Sequence, residues 1–334
     1  MRLLPSNRSS EPSARSPLIP QFGALTGLAL TELLRQPACF MIAATSVILT
    51  VLLPMATSIQ LGQQERLSRD SALAFEFMFG MMLAGYAAAS TLHNECRSGT
   101  VLTVLSKPVG RAVFFLAKFT AVAALLVCFA AESALAALLG ARLTPVFFEV
   151  DTLGAAIALA VPVAAFAGAA AVNYFRRRPF VSTAHVFLAL SLLAAVLVMA
   201  SVDREGHRIA FGSLMDWRLV PACGLESLAL IVLAAVGLSL ATRLGAAPTL
   251  AVLIVVLFAG LLSDHLGRLL PDSRVLRWAL RSLVPNLQAF WPADELMAGG
   301  RITLAAAGNG ALYAVSYAAG VLCLGLVSFR GRQF

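Results

Sequence analysis

Residues 112–139 read AVFFLAKFTAVAALLVCFAAESALAALL, twenty-eight residues with only two charges, Lys118 and Glu132. The hydrocarbon core of a bilayer is crossed by about 20 predominantly apolar residues of helix. This stretch alone predicts a membrane span, and it is not isolated. Ala38–Ile59, Ala72–Leu92, Leu153–Tyr174, Phe180–Ser201, Leu219–Thr242, Ala247–Ser263 and Ile302–Ser328 have the same character, the 247–263 stretch being the shortest. Small residues recur within them, as in the run from Gly168 to Ala171. In lipid they let helices approach closely, where packing rather than the hydrophobic effect joins them. The expectation is an all-α polytopic membrane helix bundle of about eight spans, with both termini on one side.

Composition agrees. Of 334 residues, 59% are hydrophobic and 13% charged, against about 25% charged in soluble domains. A pair of soluble domains is excluded. The formal charge of +8 belongs to an apolar chain, so it points to a membrane face rather than to nucleic acid. Five scattered cysteines give no disulfide framework.

Residues 1–20 hold four prolines, five serines and three arginines, a composition that predicts a disordered tail. No apolar core with a small-residue cleavage site follows closely, so no secretory signal is expected. Between 21 and 37, Phe22, Leu25, Leu28 and Leu33 follow helical spacing up to Pro37. This reads as an amphipathic helix in the interface plane or as the start of the first span. Within the remaining 38–334, the long connection 264–301 sets Arg274, Arg277 and Arg281 on one helical face, with Trp278 and Trp291 as anchors. It reads as a helix on the outer membrane surface or as a solvated loop helix.

Placing the N-terminus in the cytoplasm puts fourteen of the 25 basic residues inside, including Arg176-Arg177-Arg178 in a very short loop. The loop after the second span, 93–111, runs His93-Asn94-Glu95-Cys96-Arg97-Ser98-Gly99-Thr100-Val101-Leu102-Thr103-Val104-Leu105-Ser106-Lys107-Pro108-Val109-Gly110-Arg111. Gly99 permits a turn, Thr100–Leu105 can form a short helix, and Pro108 stops it. Such a helix is a lever on which a partner protein can push. An ordinary basic loop is the plainer reading.

Glu95, Gly99, Thr100, Leu105, Ser106, Lys107, Pro108, Arg111 and Lys118 stand in an order and spacing that resembles the permease subunits of type-2 ATP-binding-cassette (ABC) exporters. The helix at 22–36 is similar to the family's elbow helix. The stretches Pro285–Gln288 and Phe329–Phe334 are also similar. The resemblance implies that 93–111 is a coupling segment docked on two cytoplasmic ABC ATPase chains. It further implies a second permease chain, a homo- or heterodimer, in what is expected to be a bacterial inner membrane with both termini cytoplasmic. The family core has six spans, so two of the eight stretches form either an inserted pair or re-entrant segments, which leaves residues 140–245 open.

The chain carries no G-x-x-x-x-G-K-[ST] phosphate loop. No enzyme activity, cofactor or metal site is expected in it, and ATP and Mg would belong to the partner. Three glutamates fall inside spans: Glu76, Glu132 and Glu226. Embedded ionisable groups are expensive and are functional candidates by default. Counted from the helix ends, all three lie toward the outer side. There they could line a substrate vestibule, or they could snorkel outward or pair with arginines such as Arg218. His185, near the inner end of its span, reads as a hydrogen-bonded interhelical histidine. The competing functions are an ion- or proton-coupled secondary transporter using these glutamates, and a membrane-embedded enzyme.

Overall fold

The computed structural model describes residues 18–56, 63–98, 110–144, 151–263, 265, 284–291, 300 and 302–331. It is an all-α polytopic helix bundle. Nine helices are described: α1 Leu18–Leu34, α2 Pro37–Ala56, α3 Gln64–Ser98, α4 Arg111–Leu143, α5 Thr152–Arg176, α6 Phe180–Met199, α7 Leu219–Ala241, α8 Ala246–Leu261 and α9 Leu304–Arg330. A 3-10 turn covers Gln288–Phe290. Seven of them, α2 to α7 and α9, are long and apolar enough to cross a membrane. The stretch expected at 247–263 folds as the 16-residue α8. Its rise is about 24 Å, less than the roughly 30 Å of a hydrocarbon core.

The register follows from close approaches. Gly80 lies against Leu230, and Gly237 against Ala88, so α3 and α7 run parallel. Phe129 also meets Gly80, setting α4 beside both. Gly140 faces the carbonyl oxygen of Thr50, which an added Cβ would approach to 2.6 Å. Only a glycine lets α2 and α4 come so near. One end of the bundle gathers Arg111, Arg243 and Arg330: Arg111 donates to the Arg330 carbonyl at 2.8 Å, and Arg243 to the Ser328 hydroxyl at 3.1 Å. The other end gathers Arg69, Arg142 and Arg218.

Residues 140–245 contain three full helices, α5, α6 and α7, each long and apolar enough to cross a membrane, and α5 and α6 pack on each other as a hairpin. The hairpin leans on α2 and α4 through Phe40, Val47, Ala136 and Leu188. Its membrane windows are only 22% and 33% buried within the chain, so most of its surface faces outward. Helix α1 begins at Leu18 and packs on α4 with Ala29 and Leu33 fully buried. The expected outer helix within 264–301 lies almost wholly outside the described residues. Of that stretch, Leu287 donates its N–H to the Gly260 carbonyl at the end of α8, and Trp291 meets Phe77 edge-on at 5.6 Å.

Candidate functional site

Glu76 on α3 and Glu226 on α7 are both wholly buried, at 0% exposure. The parallel register of the two helices sets them opposite one another, close enough to interact, with the Cys223 thiol beside Glu76. Neither carboxyl oxygen of either glutamate makes a hydrogen bond of ordinary geometry among the described residues. Both stand roughly 10–12 Å of helix rise below Arg69 and Arg218. They do not reach those arginines. Arg218 binds Asp216 through both carboxylate oxygens, at 2.8 and 3.1 Å, and Arg69 binds Asp216 at 3.4 Å and Glu65 at 3.1 Å.

Above the glutamates the bundle opens into a cavity of about 740 Å³ at this end, lined by Glu65, Arg69, Asp216, Trp217, Arg218 and Pro221 among others. None of the three embedded glutamates lines it. Its wall owes its shape to the loop after α6. Gly212 takes a left-handed φ of 72° and accepts a hydrogen bond from the Trp217 indole at 3.1 Å. Earlier in the loop, Asp203 accepts from the backbone N–H groups of Glu205 and His207 at 2.9 and 2.8 Å. Against a desolvation that pushes it up, these bonds and the nearby His207 hold its carboxyl below the ordinary range.

Glu132 takes a different partner. Its carboxylate lies 3.9 Å from His185 Nδ1, both side chains being under 10% exposed. Phe40 covers the imidazole edge-on at 5.0 Å. Counting from helix starts put His185 near one membrane side and Glu132 near the other. They meet because α4 is 33 residues long and α6 only 20. Equal depth therefore falls at different counts along the two. A third buried ionic group was not read from sequence at all. Arg142 at the end of α4 binds Asp151, the N-cap of α5, at 3.2 Å, and also donates to the Val202 carbonyl. Its only sequence signal is a charge of each sign at consecutive span ends.

Of the coupling residues, Gly99, Thr100, Leu105, Ser106, Lys107 and Pro108 lie outside the described residues. Glu95 falls on the last turns of α3. The flanks are placed: α3 leads into the segment and α4 leaves it at Arg111, at the end that carries Arg243 and Arg330. Lys118 pairs with Glu32 of α1 at 3.8 Å and sits 5.6 Å over the Phe114 ring. Phe114 stacks on Phe329 of α9 at 6.1 Å. Among the described residues no group of His, Cys, Asp and Glu is arranged to hold a metal ion, and Cys39, Cys128, Cys223 and Cys323 are free.

Comparison with curated proteins gives no match. The family described as "ABC-2 family transporter protein" matches residues 34–175. This range begins at the last residue of α1 and runs through α2, α3, the 99–109 segment and α4 to the end of α5. It takes in the stretch on which the family resemblance rests. Residues 34–175 are thus similar to ABC-2 family transporter proteins, and the chain that carries them has seven apolar helices long enough to cross a membrane.

Proposed function

We propose that the chain is the transmembrane subunit of an ATP-driven exporter, working by alternating access with a second permease chain and two cytoplasmic ATPase chains that hold ATP and Mg. The observation that carries this reading is the family match over 34–175, which encloses the Gly99–Arg111 segment. In this reading the Arg111 end of the bundle faces the cytoplasm of a bacterial cell. Hydrolysis moves the segment, and the movement enters the bundle through α3 and α4, which flank it directly. A helix bundle with two packings then alternates its opening between the two sides.

Co-purification tests it. A tagged chain, co-expressed with candidate ATPase chains, should retain an ATPase, and Lys107→Glu or Gly99→Pro should lower ATP-driven transport at least tenfold. A chain that never retains an ATPase, and that tolerates both substitutions, overturns the reading.

The wholly buried Glu76–Glu226 pair favours a second reading, a proton-coupled secondary transporter. The two separate in sealed vesicles. Transport driven by a proton gradient without ATP supports the second, and transport that needs Mg-ATP supports the first.

A further inference from the structure

The turn between α5 and α6 carries three consecutive arginines, Arg176, Arg177 and Arg178, all exposed. Its shape is fixed. Arg177 adopts a left-handed φ of 51° as the C-cap of α5 and returns its N–H to the Asn173 carbonyl at 3.0 Å. The Asn173 side-chain amide donates to the Arg178 carbonyl at 2.7 Å. The turn is therefore short and its backbone is tied down, which sets three exposed arginines side by side at the end of the hairpin.

Within the hairpin these charges have no counter-ion. From Thr152 to Met199 the hairpin contains no Asp or Glu. The acids that flank it, Asp151 and Asp203, belong to the opposite end. On the helices packed against it, Glu132 is engaged with His185 and Glu32 with Lys118. No ion pair reaches Arg176, Arg177 or Arg178 among the described residues. Immediately before them, Tyr174 and Phe175 are 80% and 79% exposed and meet edge-on at 5.1 Å. Exposed aromatic rings beside cations, at the end of a membrane helix, mark the headgroup layer.

We infer that the Arg176–Arg177–Arg178 turn is a binding site for an anionic phospholipid, with the phosphate held by the guanidinium groups and the glycerol region against Tyr174 and Phe175. Guanidinium groups bind phosphate oxygens in pairs, and a basic cluster at the membrane surface selects anionic lipid. The hairpin favours lipid over protein as the occupant. It is among the least buried parts of the bundle, and its tied turn does not project as a docking arm would. The site does not depend on the transport reading.

The test is native mass spectrometry of the purified full chain with added phosphatidylglycerol or phosphatidylcholine. The wild type should retain phosphatidylglycerol at least fivefold over phosphatidylcholine, and the preference should fall as salt rises. The R176Q/R177Q/R178Q variant should lose the preference, and R176K/R177K/R178K, which keeps the charge and hence the membrane orientation, should keep only part of it. If the neutral variant does not insert, single Arg→Gln variants carry the test, and retention should fall with each one. Equal phosphatidylglycerol retention in all variants overturns the site. So does a neutral variant that keeps the lipid but loses a co-purifying ATPase, which would make the turn a protein-docking surface.

Discussion

Arg142 and Asp151 are nine residues apart in sequence and 3.2 Å apart in space, with side chains 2% and 1% exposed. Asp151 also caps α5 by accepting the Gly154 N–H at 2.7 Å. Removing one partner leaves the other charge buried and alone, which costs about 3–5 kcal/mol. Asp151→Ala should therefore destabilise the protein by that much in denaturant unfolding in detergent. Replacing both residues, as Arg142→Met with Asp151→Leu, should recover most of the loss. A single variant as stable as wild type would show that the pair does not hold this end together.

The approach of Gly140 to Thr50 gives a second test. Gly140→Ala drives a methyl group into backbone, which cannot rotate away, and should cost about 1–3 kcal/mol. Gly224→Ala meets nothing within 4 Å and should be neutral or stabilising by up to about 1 kcal/mol through helix propensity. Melting temperatures of the two variants should diverge, and equal melting would contradict the packing of α2 on α4.

Glu76 and Glu226 face one another with only the Cys223 thiol beside them among the described residues, so neutral isosteres should not damage the fold. Glu76→Gln and Glu226→Gln should melt at or above the wild-type temperature, because a charged group in this interface is costly. Glu76→Lys should fail to accumulate. If the pair serves transport, at least one Gln variant will lose substrate-stimulated ATP hydrolysis while melting normally. Unchanged stimulation in both would assign the pair a structural role.

The Asp203 loop should respond to acid. A carboxyl held below its ordinary range stabilises the fold fully above that range and loses its contribution as pH falls through the depressed value. Hydrogen exchange at the His207 and Glu205 amides should stay slow at pH 5 and quicken only below the usual aspartate range, and Asp203→Ala should exchange quickly throughout. Protection already lost at pH 6 would contradict the loop geometry.

The membrane helices were legible in the sequence because each is a long run of one polarity. The stretches 112–139, 153–174 and 219–242 differ from α4, α5 and α7 by a few terminal residues. The polar first turns of α3, Gln64–Asp70, were missed. They are helical because Arg69 pairs with Glu65 one turn back and with Asp216 across the bundle. The partners of the buried charges were not legible. Glu76 and Glu226 are 150 positions apart, and only the glycine contacts that fix the α3–α7 register bring them level. His185 and Glu132 meet because helix lengths differ, a property of the assembled bundle rather than of either span.

Helix α4 rises about 50 Å, some 20 Å more than a hydrocarbon core is thick. Held upright, it must stand clear of the lipid tails by several turns, and tilted, it must sweep sideways as it crosses. Its Arg111 end is braced against α9 through Phe114 and Phe329, and its far third is locked to α2 at Gly140. Packed along its length on α1, α3 and α7 as well, it moves as one stiff rod, and a displacement of a few ångströms at Lys118 would become a rotation about the Thr50 carbonyl. The tightest approach to backbone made by any described glycine would then act as its fulcrum.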